Sequence, residues 1–248
     1  MIYRIRAELA GALIALDFDG TLSPIVPDPM QARPVDGVVD TLARLAARGT
    51  RIAVVTGRDA RTVLELGDLH RIPGVLVSGL HGAEQWQDGE LRTRDEPPGL
   101  AALRTALPPL LPAEAWLEDK RLSLVVHARR ARQPDAVLAE LNRFVPRLAA
   151  EHGLEAHPGK LVIEIRIPGL SKATALDELL AGDPAAALFA GDDLGDLPAV
   201  QAVRQWAGRT GRPALTIAVG GVPELAAATD STLAGPAELA GLLAELAG

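Results

Sequence analysis

The sequence predicts an α/β protein in which a parallel sheet, covered by helices on both faces, is interrupted by a separate α+β module. Three observations carry this reading. Short apolar runs that stop at Asp, Thr, Ser, Gly or Ala recur at 12–17, 52–56, 75–78, 187–190 and 215–219, with the length and flanks of buried strands. Helix-spaced segments stand between several of them, at 35–48, 60–66, 172–180 and 197–205, and strand alternating with helix builds a parallel sheet. Between 100 and 167 the order changes to helix-strand-strand, used twice, a pattern that suits an antiparallel sheet with helices on one face.

Each element has its own signal. The helix at 35–48 places Val38, Val39, Leu42 and Leu45 at helical spacing, enough for one apolar stripe. In 83–94, Asp88-Gly89 lies between two short extended stretches, the pattern of a hairpin that closes the first part of the sheet. The module reads as helix 100–107, strands 116–118 and 122–127, helix 135–150, and strands 154–157 and 161–167. Pro97-Pro98-Gly99 and Pro168-Gly169 flank it as hinges. The expected organisation is therefore 1–98 for the first part of the core, 99–168 for the insertion and 169–248 for the second part.

Composition narrows the function. Of 248 residues 48% are hydrophobic and 23% charged, with 24 Gly and 19 Pro, which excludes a disordered or collagen-like chain. The net charge is −7, and the aromatics are three Trp, one Tyr and three Phe. A nucleic-acid partner is excluded, for it needs a basic stripe or stacking platforms. The absence of cysteine removes disulfides, thiolate metal sites and thiol nucleophiles. Glu8 and Asp17 interrupt the apolar N-terminal stretch, and no run approaches the ~20 residues of a membrane span. The expectation is a cytoplasmic monomer without signal peptide or membrane association.

The first apolar run ends in Asp17-Phe18-Asp19-Gly20-Thr21-Leu22. Ligands of an open parallel sheet gather beyond the carboxyl ends of its strands, which puts both carboxylates at the edge of a site. Two aspartates so spaced can divide labour: one takes a hard cation and attacks phosphorus, the other handles a proton. Leu22 stands where a calcium loop needs Gly, so that loop is excluded. A second run ends in Thr56-Gly57-Arg58, a hydroxyl and a glycine ahead of a helix that can cradle a phosphoryl oxygen. Ser171-Lys172 opens a later helix, where the ammonium and the helix dipole both favour an anion. Gly191-Asp192-Asp193-Leu194-Gly195-Asp196 follows a fourth strand, and its carboxylates repel one another unless a cation or Lys offsets them. Taken singly, these are also a strand-to-loop turn, a helix cap, a surface helix start and a solvated acidic loop. In this order on one sheet they make a constellation for phosphoryl transfer.

Through Asp17-x-Asp19-Gly20-Thr21, Thr56-Gly57-Arg58, Lys172 and Gly191-Asp192-Asp193-x-x-Asp196 the sequence resembles the haloacid dehalogenase superfamily of phosphatases. The resemblance implies a Rossmann-like core with Asp17, Asp19, Thr56 and Lys172 as the catalytic set. Asp17 would be the nucleophile that becomes an aspartyl-phosphate, and Asp19 would protonate the leaving oxygen and then activate water. Thr56 would bond the phosphoryl group and Lys172 would balance its charge. Magnesium would be held by Asp17, the Asp19 backbone carbonyl and Asp192, with Asp193 as a further metal residue and Asp196 in support. Gly20, Thr21, Gly57, Arg58 and His81 are expected on the substrate side.

The stretch between Thr56 and Lys172 is far longer than a strand-helix-strand crossover needs, and the excess is the insertion, which can act as a lid. Glu118-Asp119-Lys120 with Ser123, His127 to Arg129, and Gly159-Lys160 leading to Glu164 put charged and hydroxyl-bonding groups on its extended stretches. They suit a polyol, and they equally suit the solvent face of a half-exposed sheet. With Gly79-Leu80-His81-Gly82-Ala83-Glu84 they make the chain similar to the trehalose-6-phosphate phosphatases from about 16 to 199. That similarity implies release of phosphate from trehalose 6-phosphate in trehalose biosynthesis, with Glu118, Lys120, Ser123, Arg129, Lys160 and Glu164 on the sugar. Two departures stand out: Ala173 follows Lys172 where the family often has Gly, and Leu194-Gly195-Asp196-Leu197 replaces the usual Thr-Asp-Glu-Asp. A sucrose-phosphate or mannosyl-phosphoglycerate type of phosphatase, and a sugar-phosphate sensor without catalysis, are the alternative readings.

Overall fold

The structure, a computed structural model, describes residues 2–248. In chain order the elements are α1 (Ile2–Ala7), β1 (Leu13–Leu16), α2 (Val38–Ala47), β2 (Arg51–Val55), α3 (Ala60–Gly67), β3 (Leu76–Gly79), β4 (Glu84–Gln87) and β5 (Glu90–Thr93). There follow α4 (Pro98–Ala106), β6 (Trp116–Asp119), β7 (Ser123–His127), α5 (Pro134–Glu151), β8 (Glu155–Gly159) and β9 (Val162–Arg166). The chain closes with α6 (Lys172–Leu180), β10 (Ala187–Gly191), α7 (Leu197–Thr210), β11 (Ala214–Val219), α8 (Pro223–Ala228), β12 (Ser231–Leu233) and α9 (Pro236–Ala247).

Two compact units result, one made of residues up to Thr93 together with Ser171–Gly248, the other of Arg94–Leu170. The division falls after Thr93 and after Leu170, not at 98 and 168. Pro98 is the first residue of α4, where its fixed φ and missing N–H suit the helix start rather than a hinge.

In the first unit the sheet order is β12-β11-β10-β1-β2-β3-β4-β5. The strands from β12 to β3 run parallel, and the β4–β5 hairpin joins antiparallel at the edge. Alternation along the buried strands sends side chains to opposite faces. Ile14, Leu16, Ile52, Val54, Leu188 and Ile217 join one cluster with Leu42 and Leu45 of α2 and Leu239 and Leu243 of α9. Leu13, Ala15, Val55 and Phe189 join another with Leu176 of α6 and Val203 and Trp206 of α7. The α/β layering expected from the sequence is therefore present. Helix α2 begins at Val38, not Val35, because the Val35 N–H is bonded to Leu22 O at 3.0 Å and belongs to the preceding loop.

The second unit has a four-stranded antiparallel sheet ordered β6-β7-β9-β8. One face carries Leu124, Val126, Ile163 and Ile165, packed against Leu100 and Leu103 of α4 and Leu141 and Val145 of α5. The other face is polar, and register aligns it in rows across the strands. Glu155, Arg166 and Ser123 form one row, His157, Glu164, Val125 and Glu118 the next, and Gly159, Val162, His127 and Trp116 the third.

Phe189 is fully buried between the sheet and α6 and α7. Replacing it with Ala should cost about 3–5 kcal/mol through lost contacts and a residual cavity, read as a lower urea midpoint with unchanged slope. A midpoint within error of the parent would contradict this packing.

Candidate active site

Sheet order places the site. β1 is followed on one side by β2 and on the other by β10, so the connections leave β1 and β10 in opposite directions and open a crevice at their carboxyl ends. Register pairs Leu16 with both Val54 and Ala190. Asp17, Thr56 and Asp192 therefore emerge side by side, and Asp17 N still donates to Ala190 O at 2.9 Å.

Lys172, the first residue of α6, projects into this crevice. Its Nζ donates to Asp17 Oδ2 at 2.9 Å and to Asp196 Oδ1 at 2.7 Å. All three side chains are out of water, at 7% exposure for Lys172 and Asp17 and 0% for Asp196. The second oxygen of Asp196 accepts from the backbone N–H of Asp192 at 3.0 Å and Asp193 at 3.2 Å, which folds the acidic loop around it. Burial alone would lower the Lys172 pKa, but the Asp17, Asp196 and Asp193 charges outweigh it and hold the group above the ordinary lysine value. Burial pushes Asp17 well above the carboxylate range against the opposing pull of Lys172, and Asp196 and Asp192 push it further.

Asp17, Asp192 and Asp196 bring ligand oxygens within 4.8 Å of one another. Four carboxylates, counting Asp193, face the single ammonium. Burial, reinforced by Asp193 and Asp196, pushes Asp192 up to about 7. An all-oxygen donor set with surplus negative charge fits a hard cation such as magnesium. Gly20 has φ +74, and a Cβ there would lie 2.0 Å from Asp192 Oδ2, so only glycine lets Asp192 approach the loop. The grouping differs from the expected metal set in one member: Asp196 joins Asp17 and Asp192, while Asp193 is exposed and its carboxylate caps its own loop at Gly195 N, 2.8 Å away. Asp196 nonetheless has both oxygens engaged, which makes it the brace of the cluster rather than its open ligand.

The other side of the crevice is built from the ends of β1 and β2. Thr56 is buried, and its Oγ1 accepts from Arg58 N at 3.2 Å, which leaves the hydroxyl proton to donate. Thr21 Oγ1 is buried without a hydrogen-bond partner, so the loop that follows Asp17 retains an unused donor. Asp19 is turned to Arg58, whose Nε and Nη2 donate to Oδ2 and Oδ1 at 2.5 and 2.6 Å. His81 belongs to a tight turn that braces the Thr56 loop. Its N–H donates to Thr56 O at 3.1 Å, and a Cβ on Gly57 would meet its Nε2 at 2.9 Å.

In the second unit, Glu118 and Glu164 share the polar sheet face, and Ser123 Oγ donates to Glu164 Oε1 at 3.2 Å. Glu118 Oε2 accepts from His127 Nε2 at 2.7 Å. Lys120 follows β6 at one end of this face, where its N–H donates to Ser123 O. Arg129 and Lys160 lie at the other end, where Ala128 N donates to Leu161 O. Arg166 was not singled out by sequence reasoning. It stands one row from Glu164, with Nε buried and unpartnered and 3.8 Å from Glu164 Oε2. The available signal was its position two residues after Glu164, hence on the same strand face.

The parallel core, the Lys-bridged carboxylates at its strand ends and the inserted α+β unit define a protein of the haloacid dehalogenase class. More narrowly, the chain belongs to the trehalose-phosphatase family, whose sequence profile matches residues 15–231. It is 35% identical over 212 residues to the trehalose-phosphate phosphatase of Mycobacterium avium (strain 104), covering 77% of this chain and 51% of that protein. It is 34% identical over 221 residues to the trehalose-phosphate phosphatase of Mycobacterium tuberculosis (strain H37Rv), covering 79% of this chain and 54% of that one. The chain thus spans about half the length of these curated relatives. Among solved structures, the C-terminal domain of Candida albicans trehalose-6-phosphate phosphatase matches with a TM-score of 0.76 at 24% identity, covering 100% of this chain and 95% of that one. The Aspergillus fumigatus trehalose-6-phosphate phosphatase matches at 0.73 and 23%, covering 100% and 97%. These two likenesses bear on the fold.

The Asp192 pKa carries a stability consequence. Its folded-state value of about 7 lies above the ordinary 3.8, so the folded metal-free chain holds a proton that the unfolded chain has released. Stability from this group is present at low pH and is lost as pH rises from 3.8 to about 7. Urea midpoints measured in chelator should fall over that window, and the fall should be shallower in Asp192→Asn. Equal slopes would remove Asp192 from the account.

Proposed function

We propose that the chain hydrolyses trehalose 6-phosphate to trehalose and inorganic phosphate, with magnesium as cofactor. The observation that carries the reading is the buried Lys172 bridging Asp17 and Asp196 beside Asp192, a charge arrangement that serves phosphoryl transfer and that a sugar sensor has no need to maintain. Family membership and the named activity of the relatives direct the choice of substrate.

In this mechanism an Asp17 carboxylate oxygen attacks phosphorus, the bond from phosphorus to the sugar oxygen breaks, and Asp19 delivers a proton to that oxygen. Water then attacks the aspartyl-phosphate, Asp19 takes its proton, and phosphate leaves with Asp17 restored. Thr56 and Thr21 donate to phosphoryl oxygens, and Lys172 offsets negative charge on Asp17 and the phosphoryl group. Asp17, Asp192 and the Asp19 backbone carbonyl would hold magnesium, which when bound offsets the carboxylate charge and polarises the phosphoryl group. Glu118, Lys120, Ser123, Arg129, Lys160 and Glu164 would recognise the disaccharide, all of them from the unit Arg94–Leu170. The chain would act as a cytoplasmic monomer; no helix among the described residues is long and apolar enough to cross a membrane.

A panel of trehalose, sucrose and mannosyl phosphates, assayed with magnesium and with chelator, tests substrate and cofactor together. Trehalose 6-phosphate should be turned over fastest, and only with magnesium. Equal rates across the panel would defeat the substrate while sparing the reaction. Asp17→Asn should bring turnover below detection with the fold retained, since an amide is no nucleophile, and residual turnover within tenfold of the parent would defeat the covalent route.

A further inference from the structure

Both oxygens of Asp19 are held by a single side chain. Arg58 Nε donates to Oδ2 at 2.5 Å and Nη2 to Oδ1 at 2.6 Å, in a pair 16% and 33% exposed. The guanidinium is itself pinned, for Nη1 donates to Pro29 O at 2.8 Å and the group lies 5.8 Å from the Phe18 ring centroid. Its main chain is fixed as well, with N donating to Thr56 Oγ1 at 3.2 Å and O accepting from Leu80 N at 2.8 Å. Three of the five guanidinium N–H groups are thus engaged within the protein. Arg58 turns its fork inward.

A fork-to-fork pair fixes the position and the plane of a carboxylate, which a single point charge does not. It uses one acceptor site on each oxygen. A carboxylate offers about four, so one on each oxygen remains for a leaving group or a water. We propose that Arg58 is the positioning residue of Asp19: it sets the direction in which that carboxylate delivers and accepts its proton, without itself touching substrate. The proposal rests on the acid–base role given to Asp19 above.

The test compares leaving groups. Trehalose 6-phosphate expels an alkoxide that needs a proton, whereas p-nitrophenyl phosphate expels a phenolate that does not. kcat/KM for each reports only the steps through phosphoryl transfer to Asp17. In Arg58→Met the ratio of the two values, sugar over aryl, should fall about a hundredfold, the lower end of what a general acid contributes. Arg58→Lys, which keeps charge but loses the fork, should fall between Met and the parent. Asp19→Asn combined with Arg58→Met should shift the ratio no further than Asp19→Asn alone. Equal losses on both substrates, or a further loss in the double variant, would overturn the proposal. Should Asp19→Asn leave the ratio unmoved, the acid–base role fails and Arg58 falls with it, whereas the phosphatase reading is judged separately by Asp17→Asn. If the Met variant does not fold by circular dichroism, the Lys variant decides the comparison.

Discussion

The buried ammonium of Lys172 is the constraint around which the site is arranged. Taking it out of water costs several kcal/mol, and only close, well-directed carboxylates recover that cost. Asp17 and Asp196 do so at 2.9 and 2.7 Å. Asp196 then spends its other oxygen on two backbone N–H groups of its own loop. One charge on α6 thus fixes the side chain after β1 and the loop after β10 together. Lys172 opposes the effect of burial on Asp17, which Asp196 and Asp192 reinforce.

Topology turns that local arrangement into a site. Parallel strands end at the same edge of a sheet, and reversal of strand order at β1 and β10 leaves that edge open. Residues far apart in sequence therefore converge without any long loop having to be ordered. The inserted unit solves a different problem. Its antiparallel sheet buries one face under two helices, which frees the other to carry Glu118, Ser123, Glu164 and Arg166.

Much of this was legible in the residues. The strand ends at Asp17, Thr56 and Asp192 could be read because apolar runs stop abruptly there, and the doubled helix-strand-strand pattern marked the insertion. What was lost depended on partners distant in the chain. Nothing local distinguishes Asp193 from Asp196; the choice is made by Lys172, which reaches only the latter directly. Arg58 was expected on the substrate side because its sequence context is the Thr56 loop, and its pairing with Asp19, 39 residues earlier, had no local signal. The chain after 219 gave no reading, for β12 has only three residues. Helix α9 is rich in Ala, so its register on α2 emerges from Leu239, Leu243 and Leu246 meeting a preformed surface.

The ring stack in the inserted unit has an optical consequence. Trp116 lies parallel to His127 at 4.5 Å and 5°, with the Arg130 guanidinium 4.4 Å from its centroid. The imidazole and the guanidinium both lie against the indole. Of the three tryptophans in the chain, Trp206 and Trp86 pack into the first unit, and Trp116 alone belongs to the second. A protonated imidazole quenches indole emission far more than a neutral one, and His127 is bonded to Glu118. The protein therefore carries, without any label, a fluorophore in its inserted unit that lies directly against a histidine of the polar face.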